Sequence, residues 1–378
     1  MTRVDVVVVG AGPAGALAAR EAARAGASVL MLDRSVFPRG KVCGACLSPG
    51  AMAVLESVDL GDLPARLAAR PLSTMLLSVG RRRVRLDLDG SMALSRAALD
   101  HALAEVAEAE GAEFWQAAKA TLGDVRDGRR TLRVHREGQT VDVEARIVLD
   151  ATGLGRGLPV PGEAPPTVAP DSRVGVGATF SGSEYPVGDG ELHMAVGGSG
   201  YVGMVRLECG ALNVAAAMER GALRAAEVPH CVAEVLASVG LPPLPEGALV
   251  PWRGTPTLTR AAADVGAERL LRIGDAAGYV EPFTGEGMCW ALAGARAVVP
   301  LALAAVEGWS PHLLDEWRTY HRLAMGRARR LSRVLAPALR QPWLVAVTLQ
   351  ALTLMPGLAA PFVRRAARPP SPLQEFVA

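Results

Sequence analysis

The sequence predicts a mixed α/β chain: a doubly wound parallel-sheet unit, an antiparallel sheet interleaved with it, and a helical carboxyl-terminal region. Three observations predict this. A β-branched run, Val4 to Val9, feeds a glycine-rich loop and then a helix-period segment. A second strand–loop–helix pattern stands at Leu270 to Val298. Between the two lie short β-rich runs separated by turn residues. At 378 residues, half of them apolar, the chain can bury a large core. Its net charge of +2, with acidic residues interspersed almost everywhere, gives no nucleic-acid footprint. The five cysteines are irregularly placed and no signal-type pattern precedes the first strand, so a reducing, cytoplasmic compartment is expected.

The first element is a βαβ unit. The run Val4 to Val9 reads as a strand buried on both faces, and it enters Gly10-Ala-Gly12-Pro13-Ala14-Gly15 directly. Pro13 suits a first helical turn, alanines and Leu17 sustain the helix, and Gly26 ends it. Ser28 to Leu32 is the second strand, closing on Asp33 and Arg34. Gly10 permits the tight turn, Gly12 lets backbone approach a pyrophosphate, and Gly15 lets helix and strand pack closely. Asp33 is placed for adenosine ribose hydroxyls and disfavours a 2′-phosphate. The glycine pattern recurs at Gly198, Gly200 and Gly203, but in a β-rich region with no helix after it, so it is rejected.

The segment Leu270 to Val298 selects the dinucleotide. It is a short strand ending in Gly274-Asp275, a loop with Pro282, Gly285 and Gly287, and a helix starting near Met288. At these residues the chain resembles the superfamily of FAD-dependent aromatic hydroxylases and geranylgeranyl reductases. The resemblance implies a Rossmann-like FAD-binding domain with an interleaved antiparallel substrate domain. It also implies that Asp275 contacts the ribityl chain and that Gly285 to Met288 lies beside the pyrimidine end of the isoalloxazine. The amino end of the following helix would stabilise negative charge on reduced flavin.

Between these segments, Leu99, Leu103 and Val106 form one face of a helix with Arg96 in its first turn; in the family such an arginine reaches the flavin phosphates. Ile147 to Leu149 is another buried strand, with Asp150-Ala-Thr152-Gly153 at its carboxyl end, where ligands of open α/β sheets gather. Flavin hydroxylases carry Ala-Asp-Gly there; the variant seen here occurs in flavin halogenases and lycopene cyclases. The loop Phe37-Pro-Arg-Gly-Lys41-Val-Cys43-Gly44 matches the reductase branch position by position. It therefore resembles a flavin-covering segment, with Cys43 nearest the isoalloxazine and Lys41 near the phosphates or the chain that joins them. Zinc is disfavoured because the remaining cysteines are isolated and no histidine pair joins them. A redox dithiol is disfavoured because a helix starts only near Pro49, beyond Cys46.

The expected division is 1–72, 93–158 and 266–305 for the FAD-binding domain, 73–92 and 159–265 for the substrate sheet, and 306–378 for carboxyl-terminal helices. Pro159 to Pro170 is the expected hinge. The substrate sheet is expected at Ser73 to Val79, Arg83 to Leu88, Val174 to Phe180, Glu191 to Val196, Gly200 to Arg206 and Ala211 to Ala217. Of the family's Tyr-x-Trp-x-Phe-Pro motif only Tyr201 survives, and glycine at 203 opens space. Tyr201, His193 and Met204 are the pocket candidates, and Cys43, Tyr201 and His193 the catalytic ones. The apolar stretch Trp343 to Val363 reads as two covering helices, with a peripheral, monotopic membrane patch as the alternative.

The expected activity is an FAD-dependent monooxygenase acting on an aromatic or apolar small molecule. The alternatives are an ene-reductase of the geranylgeranyl reductase type and an electron carrier without its own organic substrate. Halogenation lacks its Gly-Trp-x-Trp-x-Ile segment, and Lys119 is misplaced for it. FAD is expected to be non-covalent. With no second dinucleotide unit, NADH or NADPH visits transiently or a separate reductase supplies electrons.

Overall fold

The computed structural model describes residues 2–155, 157–181, 184–281, 283, 285–330, 332–334, 340–341, 344–345, 347–348, 350 and 368–371. The apolar stretch from Trp343 to Val363 falls almost wholly outside these residues, as does Pro282.

The β-branched amino terminus forms the central strand Thr2–Val9, whose last four residues are buried. It pairs in parallel with Val29–Leu32 on one side and Gln139–Asp150 on the other. Glu113–Trp115 and Leu270–Arg272 extend the parallel sheet outward. Both faces are covered, which is why these strands read as continuous apolar runs rather than alternating ones. An antiparallel hairpin, Lys119–Arg126 and Arg129–Arg136, continues the sheet from Gln139–Asp150. Its half-exposed, charged strands gave the sequence no strong strand signal.

Three helices pack on one face. Pro13–Arg24 and Arg96–Ala109 adjoin one another, the latter capped by the Ser95 hydroxyl, which accepts from the Ala98 amide. Gly287–Glu307 lies against Pro13–Arg24. By length and composition it is the one helix among the described residues that could cross a membrane, but 67% of its apolar window is buried in the protein. It is apolar all round because it is a core helix. Pro311–Tyr320 covers its outer side, with Trp317 and Tyr320 stacked at 5.2 Å.

The second sheet runs, in spatial order, Ala248–Thr257, Val174–Phe180, Leu212–Met218, Gly200–Arg206, Glu191–Gly197, Arg70–Val79, Arg82–Ala93 and Cys46–Leu47. Its pairing is antiparallel except where Glu191–Gly197 meets Arg70–Val79. The rejected glycine repeat forms the turn and first residues of the hairpin joining Glu191–Gly197 to Gly200–Arg206. One face of this sheet packs under the helix Val228–Ser238; the other looks toward the parallel sheet. The proline-rich segment is irregular apart from the two-residue strand Thr167–Val168.

The glycine loop sets the tightest approach in the molecule. Gly10 has φ +105°, and a Cβ on Gly15 would fall 1.8 Å from the Gly10 carbonyl oxygen. Gly15→Ala is expected to destabilise the protein by about 2 kcal/mol, an overpacking cost with no flexible neighbour to yield. A lowered denaturant midpoint at unchanged slope would show it.

Candidate active site

One continuous cavity opens between the two sheets. Its walls include Gly12, Pro13 and Ala14 of the glycine loop, Lys41 to Gly44, Arg96, Gly153, and Gly274 with Asp275. Gly285, Gly287 and Met288 close it at the amino end of the long core helix. Five segments far apart in sequence, residues 12–14, 41–44, 96, 153 and 274–288, therefore meet on one side of the cavity. The antiparallel sheet supplies the opposite side through Leu192, Met194, Tyr201, Gly203 and Ala215.

The glycine-loop end is cationic by construction. Asp100, wholly buried on the helix Arg96–Ala109, accepts two bonds of 2.7 Å from Arg96 and one of 2.9 Å from Arg39. A Cβ on Gly12 would meet the Arg96 guanidinium at 3.4 Å and that of Arg39 at 3.7 Å. Both cations thus hang directly over the bare backbone of the loop. Burial opposes the Arg96 charge, but Asp100 overrides it and holds the guanidinium above its ordinary range. Lys41 lies beside Gly153, where a Cβ would sit 2.9 Å from its Nζ, and no carboxylate pairs with it among the described residues. Burial, then the Arg96 guanidinium, pull its ammonium below the ordinary value, while Asp275 works against them. Two clamped arginines and an unpaired lysine over a glycine cradle at a helix amino end fit a diphosphate.

Asp33 stands behind the glycine loop and not on the cavity wall. Its buried carboxylate accepts from the Ala11 amide at 3.0 Å and the Ser35 amide at 2.9 Å, and Arg39 approaches it at 3.4 Å. Arg34, beside it, is exposed and does not line the cavity. Thr152 is a correction to the expected set. Both its amide and its hydroxyl donate to Asp150, so it turns back toward the strand end while its neighbours Ala151, Gly153 and Leu154 line the cavity. Asp150, fully buried, also accepts from the Leu158 amide and faces Arg272 at 3.6 Å. Its unusual place in the motif is explained by this inward network.

Cys43 lines the cavity, and its carbonyl accepts from Asn213 of the facing sheet at 3.0 Å. Cys46 is in a strand paired with Arg82–Ala93, and the next helix starts at Pro49. Burial pushes the Cys46 thiol up to about 12. The pair is therefore not poised as a dithiol. No group of three or more metal-binding side chains is present among the described residues.

The sheet wall corrects two further expectations. His193 and Met204 sit on the face away from the cavity. Met204 packs beneath Val228–Ser238, and His193 bonds Glu191 at 2.9 Å. Strand alternation places Leu192 and Met194 inward instead. Tyr201 does face the cavity, packed edge-on to Phe283 at 5.1 Å. The space left by Gly203 is occupied by Met194, whose sulfur a Cβ there would meet at 3.0 Å.

Sequence reasoning missed Arg39, Asp100, Arg173 and Glu281. For Asp100 a signal existed: it stands four residues after Arg96, the spacing of a helical ion pair. Arg39 lies inside the quoted loop, but nothing local says where its side chain goes. Glu281 is buried behind Tyr201 and pairs with buried Arg173 at 3.1 Å.

Residues 3–162 match the family described as FAD binding domain. A menaquinone reductase of Mycobacterium tuberculosis is 31% identical over 322 residues, 79% of this chain and 76% of that protein. The geranylgeranyl diphosphate reductase of Rhodobacter capsulatus is 28% identical over 320 residues, covering 82% and 77%. Among solved structures, a geranylgeranyl bacteriochlorophyll reductase-like protein of Thermoplasma acidophilum superposes with a TM-score of 0.74 at 20% identity, over 90% of this chain and 88% of that one. A halogenase crystallised with phloroglucinol and FAD gives 0.75 at 16% identity, over 96% and 82%. These structures share the fold.

Two predictions follow from the geometry. Arg39→Ala is expected to weaken FAD binding about tenfold, the scale of one lost charge-assisted bond, measured by flavin fluorescence titration. In the cysteine test, with its thiol near 12, Cys46 is roughly one part in ten thousand thiolate at about pH 8 and buried as well. Iodoacetamide is expected to label Cys43 and exposed Cys209 but not Cys46, with FAD protecting Cys43; peptide mass spectrometry reads the pattern.

Proposed function

Because the chain belongs to the geranylgeranyl reductase and aromatic hydroxylase superfamily of FAD-dependent oxidoreductases, we propose that it reduces a carbon–carbon double bond in a polyprenyl-bearing substrate. The observation that carries this reading is the wall of the cavity opposite the cationic end. Leu154, Leu192, Met194, Leu258 and Phe283 give it a carbon surface with no charged side chain of its own. Such a wall suits a hydrocarbon chain held by shape and dehydration. The names of the relatives support the same class: menaquinone and geranylgeranyl diphosphate differ in their polar ends and share a polyprenyl chain.

FAD, held non-covalently, supplies hydride chemistry when bound. Arg39, Lys41 and Arg96 would hold the phosphates, Asp33 the ribose and Asp275 the ribityl chain. The helix amino end at Gly287 accommodates charge on the ring, and the sheet wall excludes water. Cys43, on the cavity wall, would lie near the cofactor. NADH, NADPH or a separate reductase delivers electrons.

This reading departs from hydroxylation, which the sequence favoured on the prevalence of that chemistry alone. The two readings share a dry, flavin-adjacent pocket but differ in product. The test is to reduce the FAD-loaded protein without oxygen and add geranylgeranyl diphosphate or menaquinone. The visible flavin absorbance is expected to return. Products should carry two more hydrogens on the chain, measured for menaquinone after air has reoxidised the ring. A product heavier by an oxygen atom, formed only in air, would establish a monooxygenase instead.

A further inference from the structure

Adding hydrogen across an alkene needs a hydride at one carbon and a proton at its neighbour. The carbon wall of the cavity offers few donors, and its most deeply connected one is Tyr201. Behind the phenol lies Glu281, 1% exposed, with one oxygen on Arg173; the other, Oε2, makes no closed hydrogen bond among the described residues and has the phenol near enough to act on the carboxyl. Arg173, also 1% exposed, bonds Glu219 at 2.9 Å and lies 5.4 Å from the centre of the Tyr201 ring. An unpartnered oxygen on a buried carboxylate is costly unless it holds or receives a proton.

We infer that Glu281 and Tyr201 form a proton relay into the cavity, with Glu281 as the positioning and resupplying residue behind the phenol. The inference rests on the reduction proposed above. The Tyr201 O–H bond breaks as its proton forms a C–H bond with one alkene carbon, and the phenol oxygen takes the proton of the Glu281 carboxylic acid. The electron pair would arrive as hydride on the adjacent carbon, the chemistry that reduced FAD would supply. The Glu281 carboxylate that remains is held by Arg173 until solvent returns its proton. Atoms and charge balance: one hydride and one proton are consumed per double bond.

The surroundings favour this traffic. Burial raises the Glu281 carboxyl above its ordinary value, against Arg173, Tyr201 and the more distant Arg340. Burial, then Glu281, hold the Tyr201 phenol well above its usual range, so it enters each cycle protonated; Arg173 opposes them. Tyr279, Asp275, Cys43 and Glu219 are further ionisable groups near this corner, and Tyr279 is likewise pushed up by burial. The protonated acid is needed, so the step should fade as pH rises through the Glu281 value.

The experiment compares wild type with Glu281→Gln, Glu281→Asp and Tyr201→Phe, all loaded with FAD. Infrared difference spectra of wild type against Glu281→Gln are expected to show the carbonyl stretch of a protonated carboxylic acid, shifted in Tyr201→Phe; this readout needs no turnover. Anaerobic reoxidation of reduced flavin by geranylgeranyl diphosphate should slow at least about a hundredfold in Glu281→Gln and lose its alkaline decline, the range expected of a general acid. Flavin affinity should be unchanged, and Glu281→Asp should recover part of the rate. Absence of the carboxylic acid band, or wild-type reoxidation and pH dependence in Glu281→Gln, overturns the relay alone. Wild-type protein that no polyprenyl probe reoxidises overturns the reduction, and the relay with it.

Discussion

The carboxylate of Asp100 is the constraint on which the site depends. It is wholly buried and draws two guanidiniums, from the loop at Arg39 and from its own helix at Arg96, into one cluster. Without it, two cations would face each other over Gly12 at the end of a helix whose own dipole is positive there. With it, the pair is neutralised on one side and presents donors on the other. The arrangement works because Arg96–Ala109 packs beside the glycine-loop helix, and that contact depends on the alanine-rich surface of Pro13–Arg24. Small side chains on the helix thus serve the charges above them.

Much of this was legible because the chemistry sits in contiguous segments. The strand, glycine loop, helix and terminal acid from Val4 to Asp33 carry their fold in local spacing, and Gly274 to Met288 does the same for another part of the cavity wall. Six of the eight strands of the second sheet could likewise be read from β-rich runs, whereas exposed Ala248–Thr257 and the two-residue Cys46–Leu47 could not. What was not legible falls into two physical kinds. Arg39 and Asp100 are 61 residues apart, and Arg173 and Glu281 are 108 apart, so their pairing exists only after the chain has folded. The second kind is facial. Glu191–Gly197 lies between two apolar layers, so alternation cannot say which face sees the ligand. His193 and Met204 were assigned to the wrong side for that reason. Thr152 misled differently: a strand-end hydroxyl commonly points to a ligand, but here a buried neighbouring carboxylate claims it.

The two ends of the cavity are solved by opposite physics. At the glycine loop, backbone amides and clamped cations give direction and charge, and every donor has a defined position. At the sheet, apolar side chains give shape and dryness, and among the described residues the Tyr201 corner connects to a buried charged network. A molecule with an anionic head and a hydrocarbon body would experience the two ends as different solvents. The long core helix spans both, with its amino end at the cavity and its apolar body against the glycine-loop helix.

Met194 over Gly203 has a consequence of its own. At this place in the wall the chain puts the end of an unbranched thioether across a gap with no side chain beneath it. A methionine has three rotatable side-chain bonds and a polarizable tip, so it yields by changing torsion instead of transmitting strain to the strand. An aromatic wall rejects added bulk abruptly; this one charges a graded torsional toll. The pocket is therefore an adjustable gauge, and a series of ligands of increasing girth should lose affinity gradually, with no sharp size limit.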